Sequence, residues 1–344
     1  LIENGRITAI TKDADPGWDY TPIDASDKVV MPAYVLAHDD RAISGSANEA
    51  MQNVPFLSVA DGIDPSRGTF DAWRRNGVGT VHVLPGNRTL FGGTGMVIQT
   101  SGKTVADMAL RNRTALKLSL GVDDSERVSH LRKLRSALDA ARRFEAEEKA
   151  RKKEFDDAKA VNALPEDEEY EPKEDERLEP LVELLNKEIR GFAYVHSAGV
   201  AREALRMARK MDLTMVLNWR TWKAVPSMAR ALRGTPGVVL ESTMEWTEVD
   251  PDTKEREDMC FASIVHEAGI PFALSLGSRQ QAYPWWQMGL AIRYGVPRQT
   301  ALEALTITPA RILGMEKEVG SIEVGKRADL QILSGDPLDA TTWV

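Results

Sequence analysis

Apolar and polar residues alternate in short runs at both ends of the chain, and in longer strand-then-helix units between them. Ile7-Thr8-Ala9-Ile10 alternates, and the preceding Glu3-Asn4-Gly5 carries a hairpin signal, since Asn-Gly accepts the positive φ that tight two-residue turns require. The far end reads the same way, with Gly320-Ser321-Ile322-Glu323-Val324-Gly325-Lys326 followed by Ala328-Asp329-Leu330-Gln331-Ile332-Leu333. Short strands at both termini, flanking a strand/helix region, predict that residues 1–31 and 318–344 pair into one small composite β-domain.

Between the ends the period switches repeatedly from 2 to 3.6. Gly79–Pro85, Phe192–His196, Thr214–Asn218 and Pro271–Leu276 read as strands. Helical stretches follow at Val200–Ala208, up to Ala231, and at Trp286–Ile292. Strands alternating with helices predict an α/β fold with a parallel sheet, closed as a TIM-like (β/α)8 barrel over residues 32–317. Residues 125–188 break the rhythm. Leu131, Leu134, Leu138 and Ala141 mark one apolar helix face, and the run Glu145–Glu154 is almost wholly charged. The acidic, proline-bounded Pro165–Pro172 then interrupts it. The pattern predicts a projecting helix, an acidic loop and a return helix. A solvated face laced with i,i+4 ion pairs is favoured over a partner-binding arm.

The 344 residues suffice for one large barrel plus a small satellite. A net charge of −8 and a pI near 5.4 argue against nucleic acid or an anionic membrane as the main partner. No apolar run approaches the roughly 20 residues of a membrane span. The single cysteine, Cys260, excludes an internal disulfide framework and a cysteine-based zinc site, and within Met259-Cys260-Phe261 it reads as core. The chain opens on Leu-Ile-Glu-Asn-Gly, inside an expected strand, and reads as trimmed at both ends; the compartment stays open, a lost signal peptide included.

The run Leu302-Glu303-Ala304-Leu305-Thr306-Ile307-Thr308-Pro309-Ala310-Arg311-Ile312-Leu313-Gly314, continued through Val319–Leu330, resembles the last barrel helix and following strand of the amidohydrolase superfamily, its imidazolonepropionase-like branch in particular. Asn76–Gly86, Phe91–Gly95 and Leu116–Gly121 resemble further segments, so the likeness spans nearly the whole chain. Val29–Asp40 resembles the family's opening strand, which ends Asp-x-His-x-His. The resemblance implies a barrel with a composite β-sandwich from both termini. It also implies hydrolysis of C–N bonds other than peptide bonds, in a cyclic amide or related small substrate, by water activated on zinc or another divalent metal.

Several ligand positions implied by the resemblance are altered. His38 fits the first strand and Asp40 replaces its second histidine, while His196 fits the fifth. Trp219 falls at the sixth-strand position, where an indole N–H cannot ligate. Arg279 falls where the general-base aspartate belongs, as a permanent cation. Lys117 and Asp123 are candidates for the fourth strand. His38, Asp40 and His196 remain enough for a mononuclear zinc site, the alternative being two histidines in a metal-free mouth. Arg279 offers either an anchor for a carboxylate substrate or an ion pair with Asp40. Trp285 is a candidate substrate wall, with ordinary packing the alternative. His82, His130 and His266 read as packing or surface residues, and Gly92-Gly93-Thr94-Gly95 as a tight turn rather than a phosphate loop. Two functions follow: a hydrolase with an altered site, or a non-catalytic binding or structural subunit, as a homo-oligomer or paired with an intact paralogue.

Overall fold

The computed structural model describes residues 1–12, 17, 19–121, 127–161, 163–165 and 167–344. Strands β1 (Ile2–Glu3) and β2 (Arg6–Ile7) form a hairpin, and its turn residues Asn4 and Gly5 take φ of 49° and 74°. Strand β3 (Val29–Pro32) runs antiparallel to the last strand, β16 (Leu330–Leu333), in the register Pro32 to Leu330. Ile7 N–H donates to the Lys326 carbonyl at 2.9 Å, and Ala328 N–H to that of Gly5 at 2.8 Å. The chain's first and last segments are therefore hydrogen-bonded to one another.

Two larger sheets carry the interior. In the first, β4 (Tyr34–Asp39) pairs in parallel with β5 (Val78–Val83), which is extended by antiparallel β7 (Met96–Gln99) and β8 (Ala109–Arg111). In the second, β9 (Ala115–Ser119), β10 (Arg190–Val195), β11 (Leu213–Leu217), β12 (Val238–Leu240) and β15 (Phe272–Ala273) are all parallel. Strand β6 (Phe91–Thr94) caps that sheet, antiparallel to β9. Gly92-Gly93-Thr94-Gly95, expected as a tight turn, instead lies largely within β6. Gly93 sits at a bulge with φ 102°, where a Cβ would fall 2.5 Å from the Leu57 carbonyl oxygen. The sheets meet at both margins. Ala304 and Leu305 accept from Leu274 and Val35 on one side, and Gly95 exchanges hydrogen bonds with Ala115 and Thr114 on the other.

Helices cover the outer faces: α1 (Gly68–Arg75), α2 (Val105–Met108), α5 (Ala198–Ala208), α6 (Val225–Leu232), α7 (Phe261–Glu267), α8 (Pro284–Arg293), α9 (Arg298–Glu303) and α10 (Ile307–Ile312). Helix α5 shows why: Val200, Ala201, Ala204 and Met207 are buried at i, i+1, i+4 and i+7, one apolar stripe turned to the sheet. Cys260 is buried. A short antiparallel ribbon, β13 (Glu245–Val249) with β14 (Arg256–Cys260), stands beside α8.

The charged region forms α3 (Arg127–Ala160), followed by a loop and α4 (Glu179–Leu185). At 34 residues, α3 is about 50 Å long. Leu134, Leu138 and Ala141 are buried, whereas its distal half carries surface pairs such as Glu145–Lys149 at 2.6 Å. Such exposed pairs contribute little. Lys149→Ala is expected to change the denaturant midpoint by no more than the equivalent of about 0.5 kcal/mol. Among the described residues, no helix is long and apolar enough to cross a membrane.

Candidate functional site

The parallel strands deliver a polar rim by simple alternation. Ala115, Phe192, Val216 and Val239 pack together in one apolar cluster with Val35, Ala37 and Ala273. Two positions further along the same strands stand Lys117, Tyr194, Asn218 and Glu241. Side chains two apart share a face, so an apolar floor is followed at the strands' C-terminal ends by a ring of polar groups. β4 reaches the ring differently. Leu36 belongs to the other, outer-facing cluster, and strict alternation would carry His38 with it. The β4–β5 register slips between Leu36 and Asp39, and His38 meets Lys117 from the opposite sheet.

Lys117 is the hub. It is fully buried, with Nζ 2.5 Å from His38 Nε2 and donating to Asn87 Oδ1 at 2.6 Å. The same Asn87 donates through Nδ2 to Glu241 Oε1 at 3.0 Å. Glu241 Oε2 accepts from Asn218 Nδ2 at 2.6 Å and from the Tyr194 hydroxyl at 3.3 Å. The Lys117 ammonium also lies 6.0 Å from the Tyr194 ring centroid.

Burial pushes the Lys117 amine down to about 7, against the pull of Asp40 and Glu241, which favour its charged form. Burial likewise raises the Glu241 carboxyl, opposed by its hydrogen bonds and by Lys117. Asp40 is raised by burial and by neighbouring Asp39, while Lys117 and Arg41 act to lower it. His38 is held well below its usual range, first by burial and then by Lys117, and so is neutral. Where Lys117 is protonated, a neutral imidazole facing it through Nε2 accepts there and carries its proton on Nδ1.

Arg41 forms a second knot. Its guanidinium grips the buried Asp39 carboxylate from two sides, with Nη2 2.5 Å from Oδ2 and Nε 3.0 Å from Oδ1. Nη1 donates to the Gly277 carbonyl at 2.5 Å. The end of β4 is thereby tied to the loop after β15.

The sequence expectations fare unevenly against this geometry. His38 lies in the cluster and Asp40 adjoins Lys117. His196 follows β10, pressed against Gly121, where a Cβ would fall 2.4 Å from Nδ1. Of the two fourth-strand candidates, Lys117 is at the centre, and Asp123 lies outside the described residues. Trp219 does not occupy the strand-six end. Alternation turns Asn218 inward instead, and Trp219 stacks on Trp246, ring centroids 4.9 Å apart. The Asp40–Arg279 pair does not form. Arg279 is exposed in a turn at φ 55° and makes no ion pair among the described residues, and the cation near Asp40 inside the cluster is Lys117. Trp285 stacks on Tyr283 and lines a crevice with Tyr34, Arg75 and Gln331. His82 is a satisfied core histidine: Nδ1 is 3.0 Å from the Ala37 carbonyl and Nε2 2.8 Å from the Thr114 hydroxyl. His130 is buried against the Ser119 carbonyl.

Asn87, Tyr194, Asn218 and Glu241 went unnoticed in the sequence. Glu241 had a usable signal, an acid directly after the apolar triplet Val238-Val239-Leu240. The residues present fit a divalent metal poorly. Among the described residues no three His, Cys, Asp or Glu side chains gather closely enough to hold one, and the His38 Nε2 lone pair already faces an ammonium.

A sequence profile of the Amidohydrolase family matches residues 278–342. An amidohydrolase from Thermotoga maritima MSB8 is similar in structure over 100% of this chain and 91% of its own, with a TM-score of 0.78 and 25% identity. A Xaa-Pro dipeptidase with methionine in its active site shares the fold at a TM-score of 0.53 and 15% identity, over 98% of this chain and 89% of that one. A prolidase complexed with N-methylphosphonate-L-proline does so at 0.50 and 16%, over 98% and 88%. No curated protein sequence matches the chain. The profile over residues 278–342 and the likeness to the Thermotoga maritima protein point to the amidohydrolase superfamily, and the two more distant structures share its fold.

Proposed function

We propose that this chain is a non-catalytic, metal-independent relative of the amidohydrolases, acting as a binding or structural subunit. In this reading residues 32–317 form a closed (β/α)8 barrel, residues 1–31 and 318–344 a composite β-domain, and the branch is imidazolonepropionase-like. The observation that carries it is the contact of Lys117 Nζ with His38 Nε2 at 2.5 Å. The role is binding or structural, as a homo-oligomer or beside an intact paralogue.

A second reading is a hydrolase of non-peptide C–N bonds with a reduced mononuclear zinc site. The placement of His38 and Asp40 at the end of β4, and of His196 at the end of β10, favours it. Elemental analysis decides between them. After incubation with zinc and removal of the excess, the first reading expects well under one metal per chain. About one zinc per chain, lost in His196→Ala, would overturn it in favour of the hydrolase.

A further inference from the structure

We propose that the Lys117 side chain takes the place of the superfamily's divalent metal, as a built-in cation that gathers the strand ends. This deepens the metal-independent reading above and rests on it. Three observations converge. First, Lys117 is wholly buried, yet its ammonium faces an imidazole nitrogen, an amide oxygen and the ring of Tyr194. A buried cation persists only where its surroundings replace the lost water. Second, the groups around it come from both sheets: His38 from β4, Asp40 directly after it, Asn87 after β5, Glu241 after β12. Third, Asn87 is oriented as an adaptor, with its oxygen to the ammonium and its nitrogen to the Glu241 carboxylate. The charge order is therefore carboxylate, amide, ammonium, imidazole. Such an arrangement leaves a divalent ion no room at His38 Nε2, which Lys117 Nζ already meets at 2.5 Å.

Imidazole 15N NMR of the intact protein at pH 6 tests the assignment. The expected spectrum has His38 neutral, Nδ1 protonated and Nε2 an acceptor, unchanged by a tenfold excess of zinc. Lys117→Met, which keeps the chain length and removes the charge, is expected to shift the His38 Nε2 resonance. Lys117→Arg is expected to keep zinc out. A His38 protonated on Nε2 in the zinc-free protein would overturn the inference and leave the metal-independent function standing. Stoichiometric zinc that moves the His38 resonance would overturn both. The wild-type spectrum decides by itself, so a Lys117→Met chain that fails to fold leaves the test intact.

Discussion

Arg41→Ala is expected to destabilise the fold by about 2–3 kcal/mol. Asp39 is almost completely buried, its side chain 3% exposed, and Arg41 is the partner that its two carboxylate oxygens share. Removing one member of a buried pair leaves the other's desolvation uncompensated, a loss of about 3–5 kcal/mol where both partners are buried. The guanidinium is 30% exposed, so water offsets part of that cost. Two further contacts go with it: the donation to Gly277, and the seat of the guanidinium 5.5 Å from the Trp73 ring centroid. Arg41→Lys is expected to recover less than half, because an ammonium cannot span both oxygens and the carbonyl together. Denaturant unfolding of the two variants, with Asp39→Asn as the companion, checks the order. Equal stability of Arg41→Ala and wild type would dismiss the knot as incidental.

The fold was legible where local rules and burial agree. Asn4-Gly5 supplies the positive φ that β1 and β2 need, and α5 advertises its buried stripe. The site was legible only in part, because residue identity near a strand end does not fix facing. A shift of one residue exchanges the faces of a strand. Likeness to the family put Trp219 at the ligand position, but Val216 is packed inside, so Asn218 points in and Trp219 out. His38 reaches the cluster only through a register slip that no periodicity records. Arg279 was placed by aligned spacing, yet the chain after β15 enters a turn that leaves it exposed. Lys117 was visible as a residue and invisible as a hub, since its partners lie 79 and 30 positions away in sequence.

Lys117→Met is expected to widen its stability deficit as the pH rises from 5 to 9. The sign follows from linkage. In the unfolded chain the amine titrates near 10.5, and in the fold near 7. Between those values the unfolded state binds more protons, so wild-type stability rises with pH at a slope approaching about 1.4 kcal/mol per unit. The methionine variant lacks that rise. The carboxyls act in the same direction. Asp40 and Glu241 are raised by burial and pulled back by Lys117, so its loss lifts both further and places more protons on the folded variant. A group with a raised folded-state pKa loses stability as pH climbs towards that value, so the variant falls away from wild type first through its carboxyls and then through the missing amine. His38, held neutral in the fold, takes up a proton only in the unfolded chain as pH falls through its ordinary range, but both proteins carry it and its contribution largely cancels in their difference. Urea unfolding of both proteins at pH 5, 7 and 9 reads the difference directly. A deficit that is flat with pH, or that shrinks as pH rises, would mean that burial does not depress the Lys117 amine in the fold.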